Sequence, residues 1–373
     1  MANAMGIIAY TDSSVYVRGI EKYRPLAAFS YVGRYRLVDI PISNMTNSGM
    51  DVIDVYTNGD PKVLFDHIGS ARHYNINNKH GHVGIIPVCT DGTPAEYVTD
   101  IQSYWNNLYN IEQDRNDYVI IAPCNFVYKV NYADLLQQHI SSGADVSILY
   151  QDVNNAKDNY INCHLLEVNR QKGVSAVFRN KGVSQNAALS LSTYIMSKKT
   201  FVDLVKKAKA YSNLFWMTDI LNLVAEHGDL DIRAIQYFGP VFPIYDLKSY
   251  YQSNMAMLNE ANMSFFNDKN WPIYTRTNDS APTIYFDGGT SQGALISNGC
   301  EVSGDVRNSI VGRGVKIGKG AIVNNCLLLP DAFIGDNTLL TNVIVDKDAK
   351  IIHKKEIAGY EEEPLYIARR EIV

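Results

Sequence analysis

The chain has 373 residues, 46% of them hydrophobic and 20% charged, which suffices for two globular domains with separate cores. Its formal net charge of −5 comes from interspersed acids and bases, so no basic patch calls for nucleic acid or a membrane surface. No apolar run approaches the ~20 residues of a membrane span. Residues 1–10 lack a signal peptide's basic start, and the scattered cysteines (Cys89, Cys124, Cys163, Cys300, Cys326), without CxxC spacing, read as reduced thiols in a cytoplasm.

Gly6–Tyr10 reads as a buried first strand. The loop after it, Thr11-Asp12-Ser13-Ser14-Val15-Tyr16-Val17, has no glycine between Tyr10 and Arg18. A phosphate-cradling loop needs glycines, so that backbone N–H groups can crowd an anion, and a cation to meet its charge. Further strands are expected at Val52–Tyr56, Val83–Val88, Tyr118–Ala122, Val146–Tyr150 and Leu191–Met196. Helices are expected at Pro61–Ile68, Tyr97–Leu108, Tyr132–Ser141, Lys198–Lys209 and Thr218–Glu226. This alternation predicts an α/β domain with a mostly parallel sheet. Such sheets place ligands at the carboxyl ends of their strands, so the segments after Tyr10, Val88 and Ala122 are where a site is sought. His67, His73, His80 and His82 lie in or beside a loop without metal-ligand spacing, and no zinc site is expected.

A helix over Leu247–Asn259 is followed by Phe265–Pro272 and Asn278–Pro282, which read as extended linker. Beyond it the period changes. Val311, Ile317, Val323 and Leu329 fall six residues apart, as do Ile296 and Val302, Ile334 and Leu340, and Val345 and Ile351. Six residues per face predict a parallel β-helix with stacked inner aliphatics, and a jog is expected near Asn325-Cys326. The expected domains are 1–257, a linker over 258–283, and the β-helix over 284–373.

Several local motifs carry a family resemblance. Gly33-Arg34-Tyr35-Arg36-Leu37-Val38-Asp39, with Ser43-Asn44 and Asn47-Ser48-Gly49, is similar to a GGKFRIIDF and LSN..NSG block. Val127–Tyr132 is similar to IYKMDY, and Trp271–Thr275 to WPIWTY. In this order and spacing they resemble the glucose-1-phosphate adenylyltransferase (ADP-glucose pyrophosphorylase) family. That resemblance implies a Rossmann-like nucleotidyltransferase domain followed by a left-handed parallel β-helix, and matches run nearly the whole chain.

The family's reaction joins ATP to glucose 1-phosphate and releases pyrophosphate, chemistry that is mostly positioning and charge neutralisation by cations and Mg²⁺. The matching positions here have lost those groups. Tyr16 stands for the arginine of GGxGTRL, and Leu26 for the lysine of RAKPA. Asn125 replaces the metal-binding aspartate of GDH, and GTADA falls on Thr99-Asp100-Ile101-Gln102-Ser103, with Gln102 in place of its aspartate. An amide offers one neutral oxygen where Mg²⁺ sites are built on carboxylates, so the family's Mg²⁺ site is expected to be lost. The DVGT motif is represented by Pro243-Ile244-Tyr245-Asp246 and is also degenerate. Lys181, from FVEK, and Asp219, from GKD, survive as candidates for residual sugar-phosphate binding. Of the 25 tyrosines, Tyr10, Tyr16 and Tyr245 fall where catalytic relatives carry glycine or a cation, so a cleft partly filled by tyrosine is expected.

This pattern resembles the GlgD-type second subunit. The resemblance implies a catalytically deficient, regulatory protein of glycogen synthesis that joins a catalytic subunit in a hetero-oligomer, with a homodimer of this chain alone as the alternative. Rival readings are a weakly active adenylyltransferase drawing its cations from Arg18, Lys22 or Arg24, and a sensor that binds nucleotide or sugar phosphate without turnover. An acyltransferase would want a histidine in the coil, and residues 290–350 contain none.

Overall fold

The computed structural model describes residues 3–11, 15–76, 81–88, 97–277 and 279–373. Cys89, His80 and Asp12–Ser14 of the first loop fall outside them, as do residues 89–96 after Val88. Two compact units are present. The first comprises residues up to Val15 and Val38–Val241; the second comprises Tyr16–Leu37 and Phe242–Val373.

The first unit is an α/β layer structure around a nine-stranded mixed sheet. Strands β1 (Ala4–Ala9), β2 (Val52–Thr57), β3 (His82–Pro87) and β4 (Tyr118–Pro123) form a parallel block ordered β4-β1-β2-β3. Every residue of Val52–Thr57 is buried, as a strand covered on both faces requires. Beyond β4 the sheet continues through β5 (Val146–Val153), β6 (His164–Val168), β7 (Val174–Arg179), β8 (Ala187–Ser197) and β9 (Ile232–Gln236). Here β8 runs antiparallel to β4, β5 and β6, and β6 pairs antiparallel with β7. The six strands expected from sequence are present. The β6–β7 pair and β9 are additions whose short, partly exposed runs carry too weak a pattern to read.

Helices α2 (Lys62–Ile68), α3 (Asp100–Asn106), α4 (Leu108–Gln113), α5 (Tyr132–Ser142), α6 (Lys198–Tyr211) and α7 (Met217–His227) cover the sheet. Helix α1 (Asp39–Asn47) is legible in sequence only as motif. Seven of its nine residues are buried, so it presents no polar face to mark a helical period. Its Asn44 donates from Nδ2 to the Tyr128 carbonyl at 2.8 Å, and the Ser48 hydroxyl accepts the Tyr132 N–H at 2.8 Å. Two of the sequence motifs are thus one fastening: the asparagine and serine of one tie down the backbone of the other.

In the second unit, residues 305–307, 322–324, 339–341 and 356–358 stack as one face of a parallel β-helix. Val306 pairs with Val323, Val323 with Leu340 and Leu340 with Ile357, a step of 17 residues per coil. Three such faces close the coil, as a left-handed hexapeptide β-helix requires. The third face takes five residues rather than six, so the inner partner of Val311 and Val345 is Leu328, and not the Leu329 that strict sixes pointed to. The jog expected at Asn325-Cys326 is an ordinary turn of the repeat: Asn308, Asn325 and Asn342 each adopt a positive φ, 17 residues apart. The extra residues sit instead between the strands Glu356–Ala358 and Leu365–Ile367.

Helices α8 (Leu247–Met255) and α9 (Glu260–Asn267) belong to this unit. Phe265, Phe266 and Asn267, expected as extended chain, close α9 instead. The Asn259 side chain caps that helix by accepting the Ala261 N–H, and Phe266 is buried against the rings of Tyr31 and Tyr35. Inside the unit, Arg24 Nη2 meets Asp346 Oδ1 at 2.5 Å with both side chains buried, and the Tyr366 hydroxyl donates to Asp346 Oδ2 at 2.7 Å. Gly19, at φ 88°, lies so close to the Tyr366 ring that a Cβ there would stand 2.4 Å from it.

Candidate functional site

A cleft of about 580 Å³, counting its open mouth, lies in the first unit at the carboxyl ends of β1 and β4. Strand β1 contributes Ala9, with Tyr10 and Thr11 following; β4 ends at Pro123, with Asn125 and Phe126 beyond it. Ligand sites of open α/β sheets form where strands end and loops begin, and the segments after Tyr10 and Ala122 both line this cleft.

Its walls are aromatic. The rings of Tyr10 and Trp216 meet edge to face at 5.7 Å, and Tyr194 and Phe126 add further ring surface. The Tyr10 hydroxyl is 2.9 Å from Ser103 Oγ. Burial, reinforced by the nearby Asp100 carboxylate and offset in part by the Ser103 bond, raises the Tyr10 phenol well above its usual range, so it stays neutral. Asp100 opens α3 and accepts two backbone N–H groups at Oδ1, from Ile101 at 2.7 Å and from Met217 at 2.9 Å. It therefore ties α3 to the start of α7. Ser192, also on the wall, has φ 48° at a bulge in β8, a conformation L-residues rarely adopt.

Asn125 is the most telling group. It is 3% exposed, and its Oδ1 has no hydrogen-bond partner among the described residues. None of the described residues that line the cleft is lysine or arginine. Of the tyrosines expected to fill a cleft, Tyr10 lines it, whereas sequence reasoning missed Trp216 and Ser192. No motif flags those two, because a helix start and a bulge within β8 bring them to the cleft.

The other sequence candidates lie elsewhere. Asp219 is exposed and accepts the Trp216 N–H at 2.8 Å, fixing the first turn of α7. Lys181 is exposed on the turn after β7. Gln102 accepts from the Lys209 ammonium and donates to Asn106 Oδ1 at 2.8 Å, and it does not line the cleft. Tyr16 and Leu26 belong to the second unit, Tyr16 half exposed and Leu26 opening the turn Leu26–Ala28. Tyr245 is there too, and Asp246 caps α8 by accepting the Ser249 N–H at 2.7 Å. His67 Nε2 lies 2.7 Å from Asp39 Oδ1. Among the described residues no group of three or more histidines, cysteines or acids could hold a metal ion. Among them no helix is long and apolar enough to cross a membrane.

Comparison with known proteins places the two halves of the chain. The nucleotidyl transferase pattern matches residues 18–237, and that of the GlmU-like C-terminal hexapeptide matches residues 285–364. Proteins named glucose-1-phosphate adenylyltransferase from Bacillus mycoides, Bacillus cereus and Bacillus thuringiensis are each 26% identical over 328 residues. Those matches cover 87% of this chain and 86% of each relative.

Proposed function

Because the chain belongs to the nucleotidyl transferase family, we propose that it is a regulatory, catalytically deficient subunit of a bacterial glucose-1-phosphate adenylyltransferase. Its catalytic partner would make ADP-glucose from ATP and glucose 1-phosphate for glycogen synthesis in the cytoplasm. The observation that carries this reading is the cleft: no lysine or arginine stands among its described lining residues, and Asn125, which the family resemblance aligns with a metal-binding acid, is a buried neutral amide on its wall. A triphosphate there would meet the Asp100 carboxylate and, among the described walls, His164 as the one side chain able to carry a positive charge. Catalysis of phosphoryl or nucleotidyl transfer rests on countercharge.

The lining residues do not fit Mg²⁺. Among the described lining residues Asp100 is the one carboxylate, and its Oδ1 is already occupied by two backbone N–H groups. The weakly active alternative loses one of its three candidate cations, since Arg24 is buried and paired with Asp346. Regulation would follow from binding: a partner shifts only if this chain prefers one of its conformations, with coupling of about 5–150-fold when typical.

Two measurements test the reading. The purified chain should show no measurable ADP-glucose synthesis, because losing one charge-stabilising group commonly costs ~10²–10³ in rate and several are missing. Asn125→Asp alone should not restore it. Mixed with a catalytic subunit from the same organism, the chain should form a larger species on size exclusion, with altered substrate affinity or effector response. Turnover within tenfold of a catalytic subunit, or separate elution with unchanged kinetics, would overturn the proposal.

A further inference from the structure

We propose that the cleft of the first unit binds an uncharged, polyhydroxylated ring, a sugar or nucleoside bearing no phosphate. The inference goes beyond the regulatory reading and does not depend on any partner. It shares with that reading only the absence of lysine and arginine from the described walls of the cleft.

The polar inventory selects for hydrogen-bond donors. Asn125 Oδ1 is buried with no hydrogen-bond partner among the described residues, and a buried acceptor left so destabilises its surroundings. A ligand hydroxyl brought to that amide would recover the loss. Asp100 adds a carboxylate and Ser192 a hydroxyl on the same walls. Polyhydroxylated rings carry several O–H donors within a few ångströms of one another, which suits this set.

Charge selects against phosphate. A phosphate entering the cleft would give up its hydration beside Asp100, with no lysine or arginine among the described wall residues and only the His164 imidazole, a weak base, to replace it. Tyr10 offers no compensation beyond a neutral phenol, whose oxygen already lies 2.9 Å from Ser103 Oγ. Family substrates are phosphorylated, so this cleft discriminates against the part of the ligand that catalytic relatives hold by charge.

Shape agrees with the chemistry. The rings of Tyr10 and Trp216 give flat apolar surface against which the C–H face of a sugar or the plane of a base can lie. The bulge that puts Ser192 at φ 48° on this wall is the kind of local strain that persists where a site is shaped.

Calorimetric titration of the full chain without Mg²⁺ tests the proposal, with glucose and adenosine as the uncharged probes and glucose 1-phosphate and ATP as the same rings carrying phosphate. At least one uncharged probe should bind tenfold or more tighter than its phosphorylated form. Binding of glucose alone assigns a sugar, and binding of adenosine alone a nucleoside. Asn125→Leu should weaken that binding about fivefold, the worth of one hydrogen bond near 1 kcal/mol. Trp216→Ala, which removes a half-buried ring, should weaken it as well and serves if the first variant does not fold. Phosphorylated probes binding as tightly as the uncharged ones, or no heat from either uncharged probe up to about 10 mM, would overturn the inference. Neither result would touch the regulatory reading, which fails on turnover or on separate elution.

Discussion

The cleft unit buries a neutral amide beside its cleft, and the β-helix unit buries a charged pair. In the first, Asn125 keeps an oxygen without a partner among the described residues. In the second, Arg24 Nη2 is buried at 2.5 Å from Asp346, whose other oxygen accepts the Tyr366 hydroxyl, while Arg24 Nε and Nη1 have no hydrogen-bond partner among the described residues. A buried neutral group left unmet costs less than a buried charge left without its counter-ion. The difference teaches where each unit's constraints lie. Residues 16–37 and the coil are bound to one another by a charge pair, whereas the described walls of the cleft carry neither lysine nor arginine.

The sharpest way to break that comparison is to remove one side of the pair. Asp346→Ala should destabilise the chain by about 3–5 kcal/mol in denaturant unfolding, because it leaves a buried guanidinium uncompensated. Replacing both partners, Arg24→Met with Asp346→Leu, should recover most of the loss. If the single variant costs no more than a surface substitution, the pair is not holding the second unit together.

Packing in the coil comes next. Leu340 is fully buried between Val323 and Ile357 on one inner ladder. Leu340→Ala should cost about 2–5 kcal/mol through lost burial and the cavity left behind, measured by chemical denaturation.

A pH effect of intermediate size is expected from Glu21, also in the second unit. Burial raises its carboxyl from 4.5 to about 7, with the Val17 backbone bond partly opposing the rise. Between these values the folded state holds a proton that the unfolded state has released, so this group's contribution falls as pH rises from 4.5 to 7. Glu21→Gln should therefore match the parent at about pH 4 and exceed it by roughly 1–3 kcal/mol at about pH 8, since each tenfold difference in proton affinity between the two states is worth about 1.4 kcal/mol. Parallel melts at the two pH values check the sign.

The smallest effect sharpens the contrast from the cleft side. Without ligand, Asn125→Leu should be neutral or stabilising by about 0–1 kcal/mol, since it replaces an unmet polar oxygen with apolar atoms of similar size. A thermal melt showing a loss of several degrees would mean that the Asn125 amide is structural and the cleft wall depends on it.

Much of the architecture is legible along the chain. Strands such as Val52–Thr57 are continuous apolar runs because both faces are covered, and the coil's sixes follow from stacking one aliphatic per face. What fails to show is whatever lacks a period of its own. Helix α1 is buried nearly all round, α9 begins with an asparagine cap in a segment that looks like linker, and the five-residue face of the coil shifts the inner residue from Leu329 to Leu328. The site is half legible. The segments to search, Tyr10 as a cleft tyrosine and the amide at Asn125 can be read, but Ser192 and Trp216 lie far along the chain and no motif marks them as wall residues.

The sequence by itself determined that an α/β unit precedes a β-helix, and through the family resemblance it set the expectation that Asn125 stands where a metal-binding acid would. Both readings are local: periodicity is written in neighbouring residues, and the identity of one side chain is a single letter. Only the tertiary structure decided that residues 16–37 fold with the coil, that Arg24 is engaged by Asp346, and that Asp219 serves the first turn of α7. The same holds for Asn125, whose oxygen is left unpaired among the described residues on the wall of an aromatic cleft. Those outcomes depend on which distant groups a fold brings within hydrogen-bonding reach, a distance of about 3 Å that no spacing along the chain encodes.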